Sequence, residues 1–356
     1  MAEEIYRTVL KEALAKIAPG TVFRQGIENV KEANTGALIV VGDSPKLMEL
    51  VSGGFDIDCE FTPSRLYELA KMDGAIIIAP DLSRILKANV QLDPDTSLPT
   101  TETGIRHRTA SRVAQQTGEL VIAISQRRAV VTLFLHDVSF RLREISALLA
   151  KSNQALQTLE KYHNVFTTEL QRLGGMEFED IVTVADACEL INRGLRVVGI
   201  SEEVNSYIVE LGAEGRLVRM QLDEMMINVE KETRLIIKDY NATKTDAAEI
   251  MKNLLQQQRD DACDAFTIAR ALGLGSGAAQ AEQQISPRGY RMLSKIPRIP
   301  PAIIENLVDH FKQLLPVTYA DIEALDAVEG IGEARARTIR NGLKRLQEQL
   351  MLDYMI

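Results

Sequence analysis

Four apolar, β-branched runs of strand length punctuate the first part of the chain, at 37–41, 75–79, 120–124 and 129–134. None alternates with polar residues, so the pattern predicts strands buried on both faces of one sheet. Helical spacing lies between them. The segment 63–71 follows Thr62, whose hydroxyl suits an N-cap, and 109–116 follows a polar, basic loop. From Gly53-Gly54 to Cys59 the chain reads as a turn leading into an extended segment. Residues 1–140 are thereby predicted to form an α/β domain, a mixed sheet flanked by helices.

The texture changes after Phe140. Leu142, Ile145, Leu149, Leu156, Leu159, Phe166, Leu170 and Leu173 recur at alternating spacings of three and four, with Ser152 and His163 in the two remaining seam positions. This predicts one long amphipathic helix of coiled-coil type. His163 is read as a seam or surface histidine. Helical patterns continue from 178 to 272, with loops expected near Gly194, Gly212 and Gly215. Gly273-Leu274-Gly275-Ser276-Gly277 reads as a linker, because no strand precedes it and no Gly-Lys-Ser/Thr follows. Residues 141–285 are therefore expected to be an all-α spine for spacing and assembly, and 286–356 a third domain.

Composition narrows the partners. A chain of 356 residues with 46% hydrophobic and 26% charged residues is ordinary for a soluble protein of two or three domains. Aromatics make up 5% and Trp is absent, which argues against base-stacking platforms for nucleic acid. Cys59, Cys188 and Cys263 lie far apart and read as core thiols in a reducing compartment. No apolar run reaches membrane-spanning length, and 1–14 reads as an amphipathic helix, so a cytoplasmic protein is expected. The net charge is −9, but the segment from Ser286 onward holds ten Lys/Arg against nine Asp/Glu. Five of those basic residues fall between Arg335 and Arg345 with no acidic one among them, so a polyanion partner is sought at that end.

Three segments carry candidate chemistry. Met72-Asp73-Gly74-Ala75 stands where a helix hands over to the strand at 75–79; Gly74 and Ala75 allow a substrate close to the backbone, and Asp73 can bind a hard cation and help deprotonate a hydroxyl. Gly104-Ile105-Arg106-His107-Arg108-Thr109-Ala110 places two arginines and a histidine directly after a glycine, in a polar loop expected to enter a helix near Thr109. Planar guanidinium forks and free backbone N–H groups at a helix start both suit phosphate oxygens. Ser125-Gln126-Arg127-Arg128 closes the strand at 120–124 and reads equally as a further phosphate contact or as a hairpin turn.

Together these segments resemble the bacterial diadenylate cyclase family, and the whole layout is similar to its DNA-integrity-scanning members. The resemblance implies condensation of two ATP into cyclic di-AMP and two pyrophosphates, assisted by Mg²⁺ or Mn²⁺. It makes Asp73 the metal-linked residue that activates the attacking 3′-hydroxyl. Gly74, Ala75, Leu92, Gly104 and Ile105 through Thr109 line the ATP site, with Leu92 against adenine and the basic tract on the phosphates; Ser125 and Arg128 are further phosphate contacts. It also implies an octamer with facing sites, and suppression of synthesis by branched DNA such as a Holliday junction.

The C-terminal end supports the DNA-binding part independently. The stretch 325–339, Leu-Asp-Ala-Val-Glu-Gly-Ile-Gly-Glu-Ala-Arg-Ala-Arg-Thr-Ile, fits a helix-hairpin-helix, with Gly330-Ile331-Gly332 as the hairpin and Ala336 where two helices cross. Such a hairpin turns backbone N–H groups toward a DNA phosphate without reading bases, and Arg335, Arg337, Arg340, Lys344 and Arg345 flank it; the same motif also serves as a protein-contact module. Lys295-Ile296-Pro297-Arg298-Ile299-Pro300 reads as a degenerate first copy whose prolines replace the glycines, with a structural role. The competing reading is a DNA-binding protein whose nucleotide site senses ATP or cyclic di-AMP without turnover.

Overall fold

The computed structural model describes residues 12–259, 263–275 and 277–355. The chain forms two compact units, one of 1–152 with 206–218 and one of 153–205 with 219–356. The expected helix at 1–14 lies outside the described residues up to residue 11; residues 12–16 are helical.

In the first unit the strands are β1 (Ala37–Val41), β2 (Val51–Ser52), β3 (Phe55–Glu60), β4 (Ala75–Ile78), β5 (Arg84–Leu92), β6 (Leu120–Ile124), β7 (Val131–Leu135) and β8 (Val138–Arg141). They form one eight-stranded sheet in the order β2-β5-β4-β1-β6-β7-β8, with β3 also paired to β5. Only β1 and β4 run parallel, so the sheet is mixed as expected.

The period-2 side-chain alternation sorts the apolar runs into two cores. On one face Ile39, Val41, Ile76, Ile78 and Ile122 pack with Phe23, Ile27 and Leu66, from the helices Val22–Glu32 and Pro63–Leu69. On the other, Leu38, Val40, Ile77, Val121 and Ala123 pack with Ala110, Val113 and Ala114 of the helix Ile105–Thr117. The Thr62 hydroxyl does cap its helix, accepting from the Arg65 N–H at 3.2 Å.

Several boundaries move. Strand β7 begins two residues later than the apolar run, because Ala129 sits at φ +49 in the turn before it. The basic tract is not a loop before a helix: the helix begins at Ile105, with Gly104 as N-cap. The long helix is Ile145–Glu179, so Leu142 lies outside it; the Leu142 N–H bonds to the Val131 carbonyl instead. Ser152 occupies a fully buried position of that helix and returns its hydroxyl proton to the Leu148 carbonyl at 2.8 Å.

Gly194 is not in a loop but inside the helix Val184–Leu211. A Cβ there would lie 2.3 Å from Oγ1 of Thr233, so the glycine permits a close helix crossing. Gly212–Gly215 forms a 3₁₀ turn. Of the expected linker, Ser276 lies outside the described residues, while Gly273 and Gly275 adopt φ +75 and +90. Of the three cysteines only Cys188 is a core residue; burial pushes its thiol up to about 12.

In the second unit, the helices Ile322–Asp326 and Glu333–Met355 flank the hairpin at 327–332, and Tyr290–Ser294 and Pro301–Phe311 flank 295–300. Leu293, Leu307, Leu314, Leu325, Ile339 and Leu343 form a common core among them. The first hairpin differs from its sequence reading. Arg298, not a proline, holds the left-handed position at φ +66 that Gly330 holds at φ +81 in the second, and only Pro300 stands in for a glycine.

Candidate functional site

Strand register brings two of the three candidate segments of the first unit, 72–75 and 125–128, to one end of the sheet. Ile39 of β1 pairs with Ile76 of β4 in parallel, Ala37 pairs with Ile124 of β6 antiparallel, and Ala75 pairs with Val90 of β5 antiparallel. The starts of β1 and β4 therefore lie beside the ends of β5 and β6. Asp73 and Gly74 sit just before β4, Leu92 ends β5, and Ser125 follows β6.

The helix Ile105–Thr117 adds the basic tract to this end. Nη2 of Arg106 lies 3.2 Å from Oδ1 of Asp73, so the aspartate and arginine motifs meet directly. Asp73 is fully exposed, and such a surface pair is weak enough to be exchanged for a better partner. Arg108 is exposed, as is Ile105, the apolar member of the tract. Arg106 and Thr109 are half-buried. Gly104 provides no side-chain cap, so the first-turn N–H groups of a thirteen-residue helix are open to an anion.

His107 behaves differently from its neighbours. Its ring stands edge-on to Phe134 of β7, with centroids 6.0 Å apart and planes at 81°. Burial, opposed by Glu102 and reinforced by Arg141 and Arg128, holds its pKa below the ordinary histidine value. The structure thus turns this imidazole toward the sheet, between the half-buried Arg106 and the exposed Arg108. As pH falls below about 6.5 the unfolded chain takes up this proton first. The contribution of His107 to stability is therefore expected to decline from that pH downward until the folded ring also protonates. An NMR titration of the imidazole would show a midpoint below that of a free histidine.

Ser125 to Ala129 is a hairpin turn between β6 and β7. The Ala129 N–H bonds to the Ser125 carbonyl at 3.0 Å, and the Arg128 N–H reaches Oγ of Ser125 at 3.4 Å. The turn still belongs to the site by position, with Gln126, Arg127 and Arg128 exposed on it.

Two further residues of this site lie in no recognisable motif. A Cβ on Gly36, just before β1, would stand 2.4 Å from Nη1 of Arg106 and 3.3 Å from Cβ of Gln126. The bare glycine leaves the groove in which Arg106 lies against Asp73. Gly36→Ala is expected to displace that flexible guanidinium rather than the fold; with the ATP that the family resemblance implies as substrate, KM should rise about tenfold through a lost charge-assisted contact with much less effect on kcat. Asn89 of β5 is the second residue: its side-chain oxygen accepts the Gly74 N–H at 3.1 Å.

Leu92 is buried at the end of β5, where Val90 pairs with Ala75 and Leu92 with Val51. Among the described residues no group of three or more His, Cys, Asp or Glu side chains could hold a metal ion. If Asp73 holds a cation, as the family resemblance implies, substrate oxygens and water would have to complete the shell, an arrangement that suits Mg²⁺.

In the second unit, Gly330 and Gly332 form the exposed hairpin, with Ile331 and Ala336 buried beneath it. A Cβ on Gly332 would meet nothing within 4 Å, so its backbone is approachable from solvent. The Gly330 carbonyl is occupied by Nη1 of Arg335 at 2.7 Å. Arg337 pairs with Glu333 at 2.5 Å, and Lys344 with Glu348 at 3.9 Å. Arg340 is exposed on the same helix.

Comparison with known proteins matches both parts of the chain. Residues 24–138 match the family described as DisA bacterial checkpoint controller nucleotide-binding, and 142–281 the DisA bacterial checkpoint controller linker region. The DNA integrity scanning protein DisA of Clostridium kluyveri is 52% identical over 344 residues, covering 97% of each chain. That of Carboxydothermus hydrogenoformans is 51% identical, covering 95% of this chain and 96% of its own. That of Symbiobacterium thermophilum is 50% identical, covering 96% and 97%. With half of all positions shared along nearly its whole length, the chain belongs to the DisA family of diadenylate cyclases, enzymes of the nucleotidyltransferase class.

Proposed function

We propose that this chain condenses two molecules of ATP into cyclic di-AMP, and that DNA bound at its C-terminal hairpin modulates the reaction. The observation that carries the proposal is the direct meeting of Asp73 and Arg106 at one end of the sheet. A carboxylate for the attacking hydroxyl and a guanidinium for the phosphates stand in one groove.

In each half-reaction the 3′-oxygen of one ATP forms a bond to the α-phosphorus of the other, and the bond to the pyrophosphate leaving group breaks. Two such steps close the ring and release two pyrophosphates. Bound Mg²⁺ or Mn²⁺ would supply positive charge at the phosphates and acidify the hydroxyl. The chain's own part is positioning and charge neutralisation. Asp73 orients the hydroxyl and accepts its proton, the helix start at Gly104 to Thr109 holds phosphate with Arg106 and Arg108, and Ser125 and Arg128 close the far side. Leu92 offers an apolar surface to adenine.

One such site binds one ATP and presents its Asp73 outward. Ring closure therefore requires a second copy facing it, which supports a homo-oligomer, an octamer by family resemblance. Backbone N–H groups at Gly330 to Gly332, with Arg335, Arg337, Arg340 and Lys344, would hold DNA phosphates irrespective of sequence. The family resemblance makes the modulating ligand a branched DNA such as a Holliday junction, in a cytoplasmic DNA-integrity checkpoint.

The deciding experiment incubates the protein with ATP and Mn²⁺, with and without a four-way DNA junction, and separates the nucleotides by chromatography. Cyclic di-AMP with a rate lowered by the junction is expected. ADP alone, or unchanged ATP, would overturn the cyclase reading; a rate indifferent to the junction would overturn the coupling.

A further inference from the structure

Strand β5 is irregular where it passes the Asp73-Gly74 turn. Its register against β4 moves from Ala75↔Val90 to Ile77↔Lys87, two steps along β4 against three along β5. The extra residue makes a bulge, and within it Asn89 adopts φ +54. A left-handed residue in a strand is unusual, and Asn is one of the few side chains that tolerate it. Bulges of this kind re-aim side chains next to functional sites.

What this bulge aims is the Asn89 carboxamide. Its oxygen accepts the Gly74 N–H at 3.1 Å, while a Cβ on Gly74 would fall 2.4 Å from the Asn89 carbonyl carbon. The two residues are mutually fitted: Gly74 has no side chain because Asn89 covers it, and Asn89 is left-handed so that its side chain can bond back. Asp73, the next residue, has a fully exposed side chain whose hydrogen bond is to Arg106. Nothing packs that carboxylate in place, so its position depends on the turn beneath it.

We infer that Asn89 is a positioning residue for Asp73, fixing the Asp73-Gly74 turn so that the carboxylate meets the reacting hydroxyl. The inference rests on the cyclase reading above. An ångström of misplacement at such a group costs on the order of a hundredfold in rate, and loss of one hydrogen bond loosens the turn by part of that.

Three measurements on the whole 356-residue chain test it. Asn89→Gly permits the left-handed backbone and removes the carboxamide with its acceptor; Asn89→Asp keeps both an acceptor oxygen and tolerance of positive φ. Asn89→Gly is expected to lower kcat about tenfold while leaving the KM for ATP within about twofold, the signature of a misplaced reacting group rather than weakened binding. Asn89→Asp is expected to retain clearly more of kcat than Asn89→Gly. Hydrogen exchange followed by mass spectrometry should show faster exchange of the Gly74 amide in Asn89→Gly, a change independent of turnover.

If wild-type protein makes no cyclic dinucleotide, the cyclase reading fails and takes this role with it. If the wild type turns over and Asn89→Gly keeps its kcat, loses only in KM, or leaves the Gly74 amide protected, the role of Asn89 alone is overturned. That role is likewise overturned if Asn89→Asp falls as far as Asn89→Gly.

Discussion

Asp73→Asn is expected to reduce cyclic di-AMP formation by a factor on the order of a thousand or more, with folding intact. The side chain is fully exposed, and substitutions at such positions seldom change stability by more than about 0.5 kcal/mol. The carboxamide keeps shape and size. It loses the negative charge that would gather a cation with the triphosphate, and the basic oxygen that would accept the hydroxyl proton.

ATP affinity should move the other way. Arg106 reaches Asp73 at 3.2 Å, so part of its charge is held by the aspartate until phosphate arrives. With Asn in place the guanidinium is freer to meet phosphate, and the KM for ATP should stay level or fall. Product chromatography gives the first quantity and ATP titration the second. Turnover within tenfold of wild type would remove Asp73 from its role. A large rise in KM would show that the cation gathered at Asp73 contributes more to phosphate binding than the freed Arg106 does.

Those two residues were legible because each lies in a short contiguous motif, and β1, β4 and β6 because strands buried on both faces read as unbroken apolar runs. Strand β5 carries a different signal. Lys87-Ala88-Asn89-Val90-Gln91-Leu92 alternates polar and apolar, the mark of a half-buried strand, and so it does not stand out as an apolar run does. Gly36 and Asn89 escaped for another reason. Each matters through a contact with a residue remote in sequence, Arg106 or Gly74, and no local pattern marks such a pair.

Gly194 misled in the opposite sense. A glycine in a helical pattern suggests a break, yet here the missing Cβ lets Thr233 approach. In the first hairpin the sequence suggested prolines for glycines, whereas Arg298 itself bears the left-handed turn. Both cases turn on backbone geometry that tertiary contacts enforce.

The second large effect is expected in the second unit, beneath the first hairpin. Arg291 looked like one more basic residue of a DNA-binding end, yet it is 0% exposed and its Nη2 pairs with Glu177 at 2.5 Å. Tyr240 donates its hydroxyl proton to the other oxygen of Glu177 at 2.8 Å. Asp239 accepts the backbone N–H groups of Gly289, Tyr290 and Arg291 at 2.8, 2.6 and 3.0 Å, capping the helix Tyr290–Ser294 from outside. Within the second unit this network ties that helix to Ile145–Glu179 and Val229–Tyr240. Nε and Nη1 of Arg291 have no hydrogen-bond partner among the described residues, so the cation is held chiefly by charge.

Arg291→Met would leave Glu177 and Asp239 buried without their counter-ion, and a stability loss of roughly 3–5 kcal/mol is expected near neutral pH. Burial and then Glu177 already push the Asp239 carboxyl up to about 7. Without the guanidinium the Asp239 carboxyl moves further up, so the folded variant binds a proton that the unfolded chain, with carboxyl pKa values near 4, releases. Its stability should therefore rise as pH falls from about 7 toward 5. Denaturant unfolding of wild type and variant at both ends of that range reads the difference. Glu177→Gln in the Arg291→Met background removes one of the stranded charges and should recover much of the loss, as replacement of both ions often does. A variant as stable as wild type, or one whose deficit ignores pH, would show that the network holds these helices by packing and not by charge.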